Sequence, residues 1–372
     1  MPPHQSQKKI RYLFRNIRQK IKHVFVSCAI KIREYIKNYQ LTRYHKRRIP
    51  FVFLFGVPYH SNLGDQAQTY CIEAWIRKHM PHYGINISML TTSTNERLNY
   101  IRQHFRKDDI ILCHSGYHMT DLYKEQDVYL TLTQMFPDAS IRILPQTIHY
   151  LSEENAIKTA SILNTHPNCT LLCRDEQSYR TAQSLFSGCK LFLYPDIVTS
   201  LIGNFPLLHP SERNGVLFCM RNDKEAFYSK DEVEQIRQIV SAQYTTDMND
   251  TTVELDADYI AENRHQVLTE TFELFARYKV VVTDRYHGTI FSLIANTPVI
   301  VVNSTDHKLS SGVKWFPPSF SNHVYHASDI SMVPQLIEEI VAKGELPQLP
   351  PHFVDNYYNE KLGETLNLPI HA

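Results

Sequence analysis

Residues 279–288 read Lys-Val-Val-Val-Thr-Asp284-Arg285-Tyr286-His287-Gly288, a β-branched apolar run that ends in an acid, a cation, an imidazole and a glycine. The run is short and continuous, which predicts a strand buried in a parallel sheet. Residues 289–296 then have helical periodicity. In open α/β sheets ligands bind at the carboxyl ends of strands, and a helix N-terminus attracts anions. The stretch therefore predicts an anion-binding turn in an α/β fold.

Similar apolar runs alternate with helical patterns along most of the chain, which predicts βα repeats around parallel sheets. The 372 residues suffice for two domains, and residues 203–215, with two prolines and two glycines, have the composition of a linker. We therefore predict two Rossmann-like domains facing each other across a cleft. The predicted segments are an arm at 1–49, an N-terminal domain at 50–203, a linker at 204–214, a C-terminal domain at 215–345 and a tail at 346–372.

Individual strands and helices follow from the same alternation. The predicted strands are 51–56, 85–90, 109–113, 141–144, 170–173, 191–194, 216–220, 253–255, 280–283 and 299–302. In the second half, helices are predicted near 231–243, 259–277, 289–296 and 330–342.

Several functional classes lack their sequence signature. The chain has only 11 glycines and contains no G-x-G-x-x-G, no G-x-x-x-x-G-K-[ST] and no H-E-x-x-H motif, so it lacks the usual signatures of dinucleotide, nucleotide and zinc sites. Its seven cysteines form no C-x-x-C pair, which predicts buried thiols in a reducing compartment.

The N-terminal segment differs from the rest in charge. Residues 1–50 contain fourteen Lys or Arg and one acid, whereas the remainder has 25 basic and 37 acidic residues. From Ile10 to Ile36 apolar residues recur every three or four positions, which is typical of a basic amphipathic helix. The apolar stretch is too short to span a membrane. We expect residues 1–48 to lie on an anionic membrane surface; the alternative is a helix packed on the protein body. Nucleic acid is disfavoured because the rest of the chain is acidic.

Polar loops follow three predicted strands of the N-terminal half. Asn62 and Gly64 suit a tight turn after the first strand, and Asp65 faces the predicted cleft, although helix capping alone would explain it. Two further loops contain His114-Ser115-Gly116 and Gln146.

Cations also stand at strand ends. Arg174 directly follows the strand at 170–173, Arg221 follows the strand at 216–220, and Lys308 follows the strand at 299–302. Each one taken singly could be a surface ion pair or a solvated side chain. Together with Arg285 and His287 they predict a cationic cluster that suits a small substrate with more than one negative group.

These motifs, in this order, resemble the polysaccharide pyruvyl transferase family. The resemblance extends from about Phe51 to about Phe316 and includes the motifs Asn62-Leu-Gly64-Asp65, Leu144-Pro-Gln146-Thr, Arg174-Asp-Glu-x-Ser178, Pro195-Asp196, Asp284-Arg285-Tyr-His287-Gly288 and the isolated Lys308. It implies a fold like that of the two-domain GT-B glycosyltransferases. It also implies transfer of the enolpyruvyl group of phosphoenolpyruvate to a pair of sugar hydroxyls.

The resemblance also implies roles for individual residues. His287 and Asp65 would be catalytic. Phosphoenolpyruvate would contact Arg174, Arg285, His287 and Lys308. We add Gly288, which adjoins His287, and Arg221, by its position at a strand end, to the expected donor site. The acceptor would contact Asn62, Gly64, Asp65, His114, Ser115, Gly116 and Gln146. The chain departs from the family's usual pattern at Ser61 and at the loop around Gly116, both on the acceptor side. Phosphoenolpyruvate is then a co-substrate, and the scheme requires no cofactor and no metal; the pair Asp256 and Asp258 is expected to be a surface turn.

The expected acceptor is a glycan such as a galactose residue of a capsule or exopolysaccharide precursor, which a polyprenyl diphosphate could carry. The expected location is the cytoplasm, at the inner face of the membrane. A GT-B nucleotide-sugar glycosyltransferase is the alternative enzyme, because an arginine and a lysine in the second domain also suit a diphosphate. If the chain is not an enzyme, the alternative is a non-catalytic scaffold at the membrane surface. The presence of all the cations and the histidine of the predicted cluster argues against a scaffold.

Overall fold

The computed structural model describes residues 48–89, 93–208, 210, 212–223, 226–304 and 311–370, together with residues 28, 31, 32, 35, 36, 38, 39, 42 and 46 of the arm. Each of these nine described arm residues is helical. The rest of the predicted arm helix and Lys308 lie outside the described residues.

The N-terminal half forms a parallel sheet of seven strands. Its strands are β1 (Phe51–Val57), β2 (Gly84–Met89), β3 (Ile110–Cys113), β4 (Gly116–Thr120), β5 (Ile141–His149), β6 (Cys169–Cys173) and β7 (Lys190–Leu193). The order is β2-β1-β3-β5-β6-β7, and β4 pairs with β5. All seven residues of β1 are buried, as expected for a continuous apolar run with helices on both faces of the sheet. The helices of this half are α1 (Leu63–His79), α2 (Asn95–His104), α3 (Glu125–Met135), α4 (Glu153–Leu163) and α5 (Glu176–Leu185).

The C-terminal half forms a second parallel sheet, of order β12-β11-β10-β8-β9. Its strands are β8 (Val216–Cys219), β9 (Thr246–Asn249), β10 (Val280–Thr283), β11 (Val299–Val301) and β12 (Val324–His326). Its helices are α6 (Lys230–Ser241), α7 (Ala257–Glu262), α8 (Arg264–Ala276), α9 (Tyr286–Ile294) and α10 (Val333–Ala342). The predicted α/β class with two Rossmann-like units facing across a cleft is therefore confirmed.

One predicted strand is absent, strands β4, β9 and β12 were not predicted, and one helix boundary differs from the structure. The strand predicted at 253–255 is wrong, because the strand of that region is β9, whose residues Thr-Asp-Met-Asn are half-buried or exposed and form no apolar run. The edge strand β12, at 324–326, was not predicted for the same reason. Helix α9 begins at Tyr286 rather than at residue 289, so His287 and Gly288 lie in its first turn and Arg285 is its N-cap.

The two halves are joined by a continuous hydrophobic core. A short 3-10 helix after β7, Ile197–Leu201, shares a core cluster with Phe272 of α8 and Ile290 of α9. Loop 61–63 pairs with loop 251–253, where Leu63 N donates to Thr251 O at 2.8 Å. These contacts fix the cleft between the carboxyl ends of both sheets.

The segment predicted as a tail, 346–372, returns to the N-terminal half. Its last helix, α11 (Lys361–Thr365), is followed by backbone that accepts hydrogen bonds from Arg142, with 2.7 Å between Arg142 Nε and Leu366 O. Trp75 of α1 donates to Tyr358 O at 2.9 Å. The tail therefore covers the N-terminal half.

The described residues of the arm make polar contacts with α2, while the arm's apolar side chains are exposed. Thr42 Oγ1 lies 2.7 Å from Tyr100 OH of α2. The exposed apolar side chains, with 47–73% of their surface free, are Ile32, Tyr35, Ile36 and Tyr39. Within the described ranges, no helix has the length and hydropathy of a membrane span.

Candidate active site

A cavity of about 600 Å³ lies between the two halves, where the carboxyl ends of β1, β6, β8 and β10 meet. The N-terminal half contributes His60, Ser61, Asn62, Asp65, Tyr117, His118, Tyr123, Glu125 and Arg174. The C-terminal half contributes Arg221, Asp223, Thr251, Thr252, Asp284, Arg285, Tyr286, His287 and Ser304. Six predicted site residues therefore meet in one cavity: Asn62, Asp65, Arg174, Arg221, Arg285 and His287.

The turn between β10 and α9 is held by its own backbone and by Thr283. Thr283 Oγ1 donates to Cys219 O at 2.6 Å and accepts from Arg285 N at 3.0 Å. Gly288 does not line the cavity, because an added Cβ would lie 2.4 Å from Thr283 Oγ1. Gly288 therefore allows α9 to pack closely on β8 and β10, which places His287 at the cavity.

His287 is held between the two halves of the protein. An added Cβ on Gly64 would lie 2.0 Å from His287 Nδ1, so the ring rests directly on the Gly64 backbone. Its other nitrogen, Nε2, lies 3.5 Å from Asp196 Oδ2, within ion-pair distance. Gly64 thus belongs to the site by making room for the histidine, and it does not line the cavity itself.

Asp196 is the centre of a buried polar cluster. Besides facing His287, it accepts a hydrogen bond from Gln68 Nε2 at 2.7 Å and one from Arg174 Nη1 at 3.1 Å. Burial would raise the pKa of Asp196, but the neighbouring His287 and Arg174 outweigh burial and hold that pKa well below its ordinary value. The carboxylate therefore stays ionised and fixes two functional side chains from opposite halves.

Arg174 is placed as predicted and is tightly held. Burial would lower the pKa of its guanidinium, but the charge of Asp196 outweighs burial and raises it. Its Nε donates to Thr147 Oγ1 at 3.0 Å, and its guanidinium carbon lies 5.4 Å from the centre of the Tyr286 ring. The arginine is therefore a fixed cation at the cavity wall.

Arg285 is paired with acids that the sequence did not identify. Its Nε and Nη2 bond Asp250 at 2.9 and 2.7 Å, and Nη2 also lies 3.1 Å from Asp223. Arg221 bonds the same Asp223, with 3.1 Å between Nε and Oδ1. The predicted cationic cluster is thus compensated by carboxylates within the part of the chain that the structure describes.

Asp65 does not cap α1, although the sequence allowed that alternative. Asn62 caps α1, since its side chain accepts from Gly64 N at 3.0 Å. Asp65 stands in the first turn, 26% exposed, with Oδ2 3.6 Å from His60 Nε2. Helix capping therefore does not account for Asp65, whose carboxylate lines the cavity beside His60.

The other predicted acceptor residues lie behind the cavity wall. His114, Ser115, Gly116 and Gln146 are buried and do not line it. His114 Nε2 lies 2.9 Å from Thr69 Oγ1, and burial, with the neighbouring His118, lowers its pKa to about 3. These residues support the wall, whose surface is formed instead by Tyr117 and His118.

For each functional residue that the sequence did not reveal, a physical reason can be given. Asp196 stands in the quoted Pro195-Asp196 motif but was given no role, although it follows β7 at the same sheet edge. Asp250 follows β9, which has no apolar run to reveal it. His118 lies within β4, a short strand that was not predicted.

No three His, Cys, Asp or Glu side chains among the described residues are arranged to hold a metal ion. Asp256 has a structural role, because it caps α7 by accepting from Asp258 N at 2.9 Å.

Known proteins are similar in sequence to both halves of the chain. The family model described as polysaccharide pyruvyl transferase matches residues 62–307. General stress protein 30 of Bacillus subtilis is 28% identical over 298 residues, which cover 78% of this chain and 85% of that protein. Pyruvyl transferase 1 of Schizosaccharomyces pombe is 30% identical over 271 residues, covering 68% of this chain and 66% of that protein.

Among solved structures, UDP-GlcNAc 2-epimerase from Neisseria meningitidis bound to UDP-GlcNAc aligns with a TM-score of 0.48 and 9% identity, covering 86% of this chain and 99% of that chain. The sequence relatives are more informative, because the family match begins at the Asn62 turn and continues beyond β11. It thus includes Asp65, Arg174, Arg285 and His287. The chain belongs to the polysaccharide pyruvyl transferase family and is a pyruvyl transferase.

Proposed function

We propose that the cavity binds phosphoenolpyruvate and transfers its enolpyruvyl group to two hydroxyls of a sugar, giving a pyruvate ketal and inorganic phosphate. The observation that carries this proposal is the meeting of Arg174, Arg285 and His287, from both halves, in one cavity with Asp65. Guanidinium groups bind carboxylate and phosphate well, and phosphoenolpyruvate bears both. Lys308 remains a proposed third cation.

The proposed reaction starts with a proton transfer from His287 to the methylene carbon of phosphoenolpyruvate. The methylene becomes a methyl group, and the neighbouring carbon becomes an oxocarbenium-like centre. One sugar hydroxyl bonds to that centre and gives its proton to Asp65, which acts as the general base. Arg174 and Arg285 stabilise the anionic groups throughout.

The carbon–oxygen bond to phosphate then breaks, and phosphate leaves. The second hydroxyl bonds to the same carbon, which closes the ketal, and its proton returns to His287. Asp65 releases its proton to the departing phosphate. Asp196 lies 3.5 Å from His287 Nε2, where it faces the positive charge of the protonated ring.

The test is incubation of the protein with phosphoenolpyruvate and a panel of p-nitrophenyl glycosides of galactose, glucose, mannose and N-acetylhexosamines. A glycoside that gains pyruvate with loss of water, matched by phosphate release, supports the proposal. A nucleotide-sugar glycosyltransferase would instead be stabilised against heat by UDP or GDP and not by phosphoenolpyruvate.

We also propose that the arm holds the enzyme at an anionic membrane surface on the cytoplasmic side, where an acceptor on a polyprenyl diphosphate would be available. Ile32, Tyr35, Ile36 and Tyr39 are exposed on one side of the arm, and Lys and Arg are abundant between its apolar residues. An apolar face with basic flanks suits insertion between anionic lipid headgroups.

We expect the full chain to sediment with phosphatidylglycerol-containing vesicles, less at high salt, and a chain lacking residues 1–48 not to sediment. Replacing Ile32, Tyr35, Ile36 and Tyr39 together by Ser keeps the charge and should still weaken binding. Unchanged sedimentation of the truncated chain would refute the arm's role.

A further inference from the structure

We propose that His118 and Glu125, beside Tyr117 and Tyr123, form the subsite for the acceptor sugar, with His118 Nε2 accepting a hydrogen bond from a sugar hydroxyl. The inference rests on the proposed function and assigns the acceptor to a wall that differs from the buried loop around His114. All four residues line the cavity.

The hydrogen bonds behind the wall determine the tautomer of His118. Tyr129 OH is fully buried and donates its single proton to His114 O at 2.9 Å. The same hydroxyl lies 2.7 Å from His118 Nδ1, so Nδ1 must carry the proton and donate to it. In a neutral imidazole the lone pair is then on Nε2.

The ring of His118 is neutral at physiological pH. Burial lowers its pKa to about 3, and the charges of His60 and Arg174 act in the same direction. Its Nε2 has no hydrogen-bond partner among the described residues, although the ring lines the cavity. The cavity therefore contains a fixed, uncharged hydrogen-bond acceptor with an open position.

Glu125 provides a second acceptor on the same wall. Its Oε2 is buried and lacks a hydrogen-bond partner within the described part of the chain. Glu125 is the first residue of α3, which has no side-chain cap, so capping does not use the carboxylate. A buried carboxylate oxygen without a partner is costly unless a ligand supplies a donor.

The aromatic pair adds the apolar part of a sugar site. The rings of Tyr117 and Tyr123 lie 5.9 Å apart at 80°. Aromatic rings offer apolar surface to the C–H groups of a pyranose, while His118 and Glu125 accept from its hydroxyls. A phosphate at this wall would be repelled by Glu125, so the wall fits the neutral acceptor better than the anionic donor.

Two substitutions of His118 separate the structural from the proposed binding role. In His118→Asn the amide N–H replaces Nδ1–H and can still donate to Tyr129, but the Nε2 acceptor is lost. In His118→Gln the longer side chain places an amide oxygen near the former Nε2. Loss of one hydrogen bond of ordinary strength corresponds to roughly tenfold weaker binding.

The measurement is steady-state kinetics with phosphoenolpyruvate and the p-nitrophenyl glycoside that the wild type turns over. We expect His118→Asn to raise the acceptor KM about tenfold and the phosphoenolpyruvate KM less than twofold, with partial recovery in His118→Gln. Glu125→Gln, on a different element of the same wall, should also raise the acceptor KM and serves if His118 variants fail to fold. His82→Asn, on an exposed loop before β2, is the control.

An unchanged acceptor KM in a folded His118→Asn, or an equal rise in the KM of both substrates, would overturn the subsite. Absence of any ketal product from the wild type would instead reject the proposed function, and the subsite with it. The two failures are therefore distinguishable.

Discussion

At the residue scale, the unusual feature of this site is that a glycine and a buried aspartate from one half position a histidine from the other. Gly64 leaves room for the ring, and Asp196 faces its Nε2. Neither role follows from residue type alone, although both residues belong to motifs that the sequence analysis singled out. Their function depends on the contact between the halves.

Gly64→Ala should therefore lower kcat strongly while the protein stays folded. The new Cβ would lie 2.0 Å from His287 Nδ1, so the ring must move. Displacement of a catalytic group by about 1 Å can cost about 100-fold in rate. Measured kcat should fall by that order, and Gly64→Ala combined with His287→Ala should be no slower than His287→Ala alone. A kcat close to wild type would show that the ring does not need this position.

Asp284 predicts a pH dependence of stability. Burial raises its pKa to about 6, although Arg221 N donates to it at 2.8 Å. A carboxyl whose folded pKa exceeds its unfolded value stabilises the fold at low pH, and this contribution is lost as pH rises through 6. Asp284→Asn mimics the protonated form. It should be more stable than wild type by about 1–3 kcal/mol at pH 8, with the difference closing near pH 4.

Urea unfolding of both proteins across this pH range is the measurement. If the wild type is more stable than Asp284→Asn at pH 8, the ionised Asp284 carboxylate does not destabilise the fold at that pH, and the prediction is wrong.

At the element scale, the strand ends explain why the sequence predicted much of the site. The apolar runs of β1, β6, β8 and β10 identified four strands, and parallel strands bring their carboxyl ends to one edge. The polar edge strand β9 gave no such signal, so Asp250, which holds Arg285, was missed. Interstrand pairing decides such strands, and it depends on residues distant in the sequence.

The loop after β8 predicts an increase in donor affinity. Asp223 is 44% exposed and bonds both Arg221 and Arg285, so phosphoenolpyruvate must compete with it for the guanidinium groups. Asp223→Asn should lower the KM for phosphoenolpyruvate by about two- to fivefold, the range expected for an exposed ion pair. Steady-state kinetics at low ionic strength measure this.

The matched variant Asp250→Asn should act in the opposite direction. Asp250 is only 16% exposed and holds Arg285 by two hydrogen bonds, so its loss should release the guanidinium and raise the same KM. If both variants change the KM for phosphoenolpyruvate in the same direction, the two acids do not have the different roles proposed here.

At the scale of the whole molecule, the cleft exists because the halves share a core and a loop pairing, and because the segment after α10 returns to the N-terminal half. Sequence periodicity predicts the two sheets, and the motifs at the predicted strand ends indicate where the site lies. It does not predict which acids neutralise Arg285 or where residues 346–372 lie, because these contacts join residues far apart in the chain. Long-range contacts of this kind also bring His118 and Arg174 to the same cavity.

The most direct test of the account is phosphate release and ketal formation from phosphoenolpyruvate and the glycoside panel, measured for the wild type and for His287→Ala. We predict one phosphate per ketal for the wild type, and no ketal for a folded His287→Ala. Phosphoenolpyruvate-independent turnover, or full activity of His287→Ala, would contradict the account.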